Sequence, residues 1–139
     1  MDVTQLPFNA LIGLELMPPE SGFLVGLPEG AQFTNHLGTV HASALVAVAE
    51  AGSGAFLVRL FGDVFGVVPV VRQLDAKFRR PATGRVMARA NVDADLGKKW
   101  MTDVAERGRT LATVPIEVVD AAGDVVFSAS IQWFIARAK

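Results

Sequence analysis

From Ala42 to Val58 the chain is apolar or small at nearly every position, and it carries a single charge there, the carboxylate of Glu50. Nothing else between His41 and Arg59 is charged. The glycines at 52 and 54 and the acid itself interrupt the run, so it would span a membrane poorly. The sequence predicts a helix that starts near Thr39 to Ser43, lasts to about Phe61 and closes at Gly62-Asp63. A helix apolar on nearly every side must be enclosed, because a surface helix needs only one apolar stripe. Its carboxylate, with little water around it, must be paired, neutralised or put to use.

The remaining sequence supplies strands to do the enclosing. Pro7 to Leu11 reads as a short helical entry, Leu14 to Met17 as a strand ended by Pro18-Pro19, and Phe23 to Leu27 as a second strand. The segment from Glu29 to Gly38 is turn-rich. After the helix, Val67 to Arg79 reads as a long strand with Leu74, Ala76 and Phe78 on one face and Gln73, Asp75, Lys77 and Arg79 on the other. Pro81 to Gly84 turns the chain into an alternating strand from Arg85 to Asp93. Leu96 to Glu106 fits either a helical turn or a strand extension. Thr110 to Val119 and Val125 to Ala136 flank a hairpin turn at Asp120 to Asp124, and Pro115 calls for a bulge or an edge. The result is a single α+β domain over residues 1–139: two short strands, one long helix, then four strands in a curved antiparallel sheet. Ala47, Ala51, Gly52, Gly54 and Ala55 would let strands approach the helix closely.

Bulk properties narrow the function classes. A net charge of −1 provides no field to recruit nucleic acid or an anionic membrane. The absence of Cys removes thiol nucleophiles and cysteine-ligated metal, and two His without a paired acid at ligand spacing argue against metal catalysis. The segment Met1 to Gln5 has no signal-peptide character, so a cytoplasmic protein is expected. An apolar share of 51% against 19% charged suggests surface buried between subunits.

Glu50 has the attributes of a general base: desolvation raises a carboxylate's pKa toward the range where such a base is efficient near neutrality. The amides of Ala42 and Ser43, at the start of the same helix, would favour an oxygen gaining negative charge. At about 100° per residue, Ser43, Ala47, Glu50 and either Ser53 or Gly54 share one face. Ser53 could hydrogen-bond Glu50 or a water. The alternative for Glu50 is a structural ion pair, with Arg72, in phase with Leu74 and Ala76, as the available partner. Asn35 and Gly38 suit a turn, His41 a helix cap, and Trp100 either the core or a ligand wall.

The segment Asn35-x-x-Gly38-x-x-His41, with an acid nine positions after the His, resembles the hotdog-fold acyl-CoA thioesterases of the phenylacetate-pathway (PaaI-like) type. Ile12-Gly13-Leu14, Arg80-Pro81 and the Asp120-to-Asp124 hairpin are similar too. The resemblance implies a hotdog sheet wrapped around the helix, a homodimer or dimer of dimers, and a thioester site between subunits. It implies Glu50 as base or nucleophile, Asn35 holding the water or carbonyl, His41 acting from the cap, and Gly38, Ala42 and Ser43 around the oxyanion. Arg79 and Arg80 could meet the phosphates of coenzyme A, which enters as part of the acyl-CoA substrate, so no separate cofactor is expected. Phe56, Phe61, Phe65 and Phe78 could shape an apolar tunnel for the acyl group. Two departures stand out: Ala42-Ser43 replaces paired glycines, and Glu replaces the commoner Asp. One rival is a hotdog dehydratase of 3-hydroxyacyl thioesters, since His36 precedes Glu50 by fourteen residues, although no proline lies in Leu37 to Val40. Another is an inactive acyl-CoA-binding subunit.

Overall fold

The computed structural model describes residues 1–62 and 66–139; Asp63 and Phe65, named above, lie outside them. Three α-helices, Pro7–Ile12 (α1), Ala42–Phe61 (α2) and Ala94–Arg107 (α3), accompany six strands. The strands are Glu15–Leu16 (β1), Val25–Leu27 (β2), Val67–Phe78 (β3), Val86–Ala90 (β4), Arg109–Asp120 (β5) and Val125–Arg137 (β6). They form one antiparallel sheet in the order β1-β2-β4-β5-β6-β3. This sheet curves around α2 in the hotdog arrangement, as expected.

The central helix is dictated by composition and by its two ends. His41 is its N-cap, and Gly62, with φ of 55°, returns its amide to the Val58 carbonyl at 2.8 Å. Length and composition alone would let Ala42–Phe61 cross a membrane, but it is the buried core helix of the domain. Small residues set how near the sheet comes. A Cβ at Gly52 would lie 2.7 Å from the Cβ of Ala88 on β4, and one at Gly54 would lie 3.6 Å from the Trp133 ring on β6. Ala49, Ala51 and Ala55 are buried beside them.

Alternation sorts the sheet into two faces. In β5 the side chains of Thr110, Ala112, Val114, Ile116 and Val118 are buried, and those of Arg109, Leu111, Thr113 and Pro115 are exposed. Pro115 produces no bulge. The Asn91 amide reaches its carbonyl at 3.4 Å, one residue past the end of the β4 ladder, so the missing N–H falls where no strand continues. The irregularity in β5 lies instead between Val118 and Val119. Strand β1 is shorter than Leu14 to Met17, although Met17 still donates to the Leu24 carbonyl before Pro18 ends the pairing.

Leu96 to Glu106 is helical, within α3. Asp93 caps it by accepting from the Asp95 amide at 2.8 Å, which also ends the preceding strand at Ala90 rather than Asp93. Gly97, Trp100 and Val104 form its buried face, with Gly97 making room for Leu60 of α2. Trp100 is therefore a core residue.

A single substitution tests how tightly helix and sheet meet. Gly52→Ala gains up to about 1 kcal/mol of helix propensity, yet its methyl needs space that the Ala88 Cβ occupies. The expected net effect is a loss of about 1–2 kcal/mol, read as a lower urea midpoint; an unchanged or higher midpoint contradicts this packing.

Candidate functional site

Ser43, Ala47, Glu50, Gly54 and Leu57 follow one another at helical spacing along one face of α2. At its start the N-cap bond is made by an imidazole: the Ser43 amide donates to His41 Nδ1 at 3.0 Å. The Ser43 N–H, expected to be free, is thus engaged, because a histidine at the cap can accept like the usual Ser or Asp. The exposed first turn retains the amide of Ala42 as a donor toward solvent. Beside it, His41, Ser43, Ala44 and Ala47 line a depression of about 290 Å³, closed by Phe8 and Ile12 of α1 and by Phe33.

Glu50 lies one turn farther along the same face, next to that depression rather than in its lining. It is half-buried. Among the described residues the ion pairs are Arg80–Asp124, Arg85–Glu15, Arg89–Glu117 and Lys99–Asp103, and Glu50 belongs to none. Burial without a compensating cation pushes its carboxyl above the ordinary 4.5. Arg72, the partner considered from the sequence, is out of phase with Leu74. The β3–β6 register skips it, pairing Val71 with Trp133 and Gln73 with Gln132. A strict period of two cannot foresee such a bulge.

Beyond Glu50 the face continues to an apolar cavity of about 250 Å³ among Leu57, Val58, Phe61, Val67, Pro69 and Ile135. Phe61 lines it; Phe56 is half-buried against the core, and Phe78, 53% exposed, lies edge-on to Phe127. Between the two depressions Trp133 packs over Gly54 and donates its indole N–H to Ser53 Oγ at 2.9 Å. Ser53 in turn donates to the backbone carbonyl of Glu50 at 2.7 Å. Ser53 therefore fixes the helix and the indole; its hydroxyl bonds the Glu50 carbonyl, not its carboxylate. The sequence reading passed over Trp133, although a buried indole needs an acceptor.

The loop before α2 is held by Asn35. Its Oδ1 accepts from the amides of Leu37 (2.9 Å) and Thr39 (3.1 Å), and its Nδ2 donates to Thr39 Oγ1 at 2.8 Å. Gly38, with φ of 77°, makes the return turn, and His36 is exposed in the same loop. Asn35 and Gly38 thus act as turn residues within the protomer, one cap away from the depression. Arg79 and Arg80 are exposed near the hairpin end: Arg79 Nε donates to Ser128 Oγ at 2.9 Å, and Arg80 pairs with Asp124 at 3.2 Å.

Comparison with known proteins agrees with this fold. Residues 14–135 match the model of a family described as Domain of unknown function (DUF4442). None of the curated proteins compared with the chain matches it. A Pseudomonas aeruginosa protein of unknown function, described as a probable thioesterase, is 28% identical, with 98% of this chain and 91% of that one covered and a TM-score of 0.83. A Bacillus halodurans protein solved with CoA is 20% identical, covering 92% of this chain and 74% of that one at a TM-score of 0.69. A Staphylococcus aureus thioesterase is 14% identical, covering 94% and 99% at a TM-score of 0.69. The last two speak to fold alone.

The raised carboxyl pKa has a consequence for stability. Below its ordinary value of 4.5, Glu50 is neutral in folded and unfolded chains and costs nothing. As pH rises through that value toward the higher folded one, the unfolded chain ionises first and the folded state loses ground. Glu50→Gln should therefore match wild type at about pH 3 and exceed it at about pH 7, by urea unfolding at each pH. A variant less stable than wild type at neutral pH would instead reveal a favourable partner for the carboxylate.

Proposed function

This chain belongs to the DUF4442 family, and from that membership and the geometry above we propose that it is a thioester hydrolase acting on acyl-CoA. The observation that carries the reading is Glu50: an unpaired carboxylate raised by desolvation, on the same helix face as a first turn that offers an amide to an oxyanion. In this reading Glu50 takes a proton from the water that attacks the thioester carbonyl, or attacks directly to give an anhydride that water then hydrolyses. The Ala42 amide and helix dipole stabilise the oxyanion, whose collapse breaks the C–S bond and releases the coenzyme A thiolate to take up the proton. Ser43 and His41 keep that first turn in shape, and Gly38 and Asn35 position the loop before it. The P. aeruginosa relative's description as a probable thioesterase supports the reaction class. The B. halodurans neighbour holding CoA supports the substrate class.

The acyl tail would lie in the apolar cavity past Gly54, and the pantetheine arm would pass the depression at Ala47. The bond between Arg80 and Asp124 is exposed and worth little, so both Arg79 and Arg80 are free to exchange their partners for CoA phosphates. No metal and no cofactor beyond the substrate's own coenzyme A takes part, and a cytoplasmic setting suits such a substrate. The exposed edge of β3, with Val68, Val70 and Phe78 exposed along it, would pair with a second copy and close the site from the other side. Light scattering in solution should then give at least twice the 14.8 kDa protomer mass; a monomer at micromolar concentration contradicts the pairing.

Thiol release from short, medium, long and aryl acyl-CoAs tests the chemistry. Wild type should turn over at least one class, with a rate that climbs as Glu50 ionises and then levels. Glu50→Gln should lose about 100- to 10,000-fold in kcat while melting no lower than wild type. Turnover undiminished in that variant rejects Glu50 as base. Water loss from a 3-hydroxyacyl-CoA without thiol release would point to dehydration, and ligand-induced stabilisation with neither reaction to a binding subunit.

A further inference from the structure

On the far side of the sheet from Glu50 lies a cleft of about 540 Å³ that the thioester reading leaves unused. Its walls come from three elements: Arg72 at the β3 bulge, Lys99, Asp103 and Arg107 along one face of α3, and Arg109 opening β5. Its floor is apolar, formed by Leu111 and the ring of Phe134, directly paired across β5 and β6. Gly108, with φ of 78°, turns the chain between helix and strand, so Arg107 and Arg109 reach the same hollow from either side of it. Arg137 packs over that turn: a Cβ on Gly108 would lie 3.3 Å from its guanidinium.

Arg80, Arg85 and Arg89 each face a carboxylate. Within the cleft the one acid, Asp103, is already engaged by Lys99 at 3.1 Å and the Thr110 hydroxyl at 3.0 Å. Arg72 and Arg109 have no ion pair among the described residues, and Arg107 shares with Lys99 the field of the single Asp103 carboxylate. Compensation of the α3 dipole accounts for a cation at Arg107, but not for Arg72 and Arg109, which stand on strands. Like charges gathered in this way repel unless an anion joins them, and guanidinium groups suit phosphate by their planar, two-pronged donors. The hollow has the size of a small-molecule site, and its aromatic floor suits a flat base rather than an acidic protein surface.

We propose that this cleft binds a nucleotide, its phosphates held by Arg72, Arg107 and Arg109 and its base lying on Phe134 and Leu111. The assignment stands apart from the thioesterase reading, because binding is measured without turnover. Two sources share the chemistry: the adenosine phosphate end of a coenzyme A and a free nucleoside diphosphate.

Calorimetric titration of the full chain at low salt with coenzyme A, adenosine 3′,5′-bisphosphate, ADP and pyrophosphate tests it. At least one nucleotide should bind more tightly than pyrophosphate. The Arg72→Ala/Arg109→Ala double variant, with its melting temperature checked, should weaken that binding by about tenfold or more. Phe134→Ala should weaken the nucleotide and leave pyrophosphate unchanged. A preference of about tenfold or more for coenzyme A and the bisphosphate over ADP assigns a coenzyme A molecule bound apart from the one at the thioester site; otherwise a free nucleotide is the ligand. No binding by any nucleotide at millimolar concentration, pyrophosphate binding as tightly as the nucleotides, or a double variant that binds like wild type overturns the proposal.

Discussion

A helix apolar around most of its circumference is kept from water in one way within a folded domain: other elements must cover it. That constraint organises this molecule. The sheet curls because it must cover more than one side of α2, and it approaches closely because Gly52 and Gly54 offer no side chain to hold it off. Strands β2, β4, β5 and β6 and the N-terminal segment at Val3 all pack against the same helix. Glu50 is exceptional within this enclosure, since a group that prefers water stands half-buried there and loses part of its hydration.

The cost of keeping that carboxylate without a cation is a loss of stability that packing must offset. Proteins tend to keep such unfavourable groups where the chemistry needs them, and a base matched to neutral pH is one such need. The surroundings are consistent with this use. The indole of Trp133, Ser53 and the Glu50 carbonyl form a chain of hydrogen bonds that fixes the helix at the turn bearing the acid. The backbone is therefore held while the carboxylate stays unengaged.

Much of this was legible in the sequence, for definite reasons. A long apolar run broken only by one acid and the glycines after it sufficed to predict an enclosed helix, and period-two alternation located β5 and β6. Helix α3 was ambiguous because Gly97 sits in its first turn, and only the packed structure reveals that Leu60 of α2 needs the space. The phase of Arg72 was misjudged because a bulge breaks the alternation, moving the side chain from the helix side to the outer cleft. At the candidate site, spacing placed Glu50 and the cap on one helix but did not reveal which donors are engaged. His41 occupies the Ser43 amide and Asn35 its own loop, and both depend on rotamers that no spacing rule encodes.

The central claim is electrostatic, that Glu50 is partly desolvated and has no cation partner among the described residues. The most direct measurement is an NMR titration of its side-chain carboxyl carbon in the folded protein, assigned by comparison with Glu50→Gln. The account predicts a midpoint clearly above the ordinary 4.5. A midpoint at or below that value would mean that a cation or a set of donors holds the ionised form, and it would contradict the account.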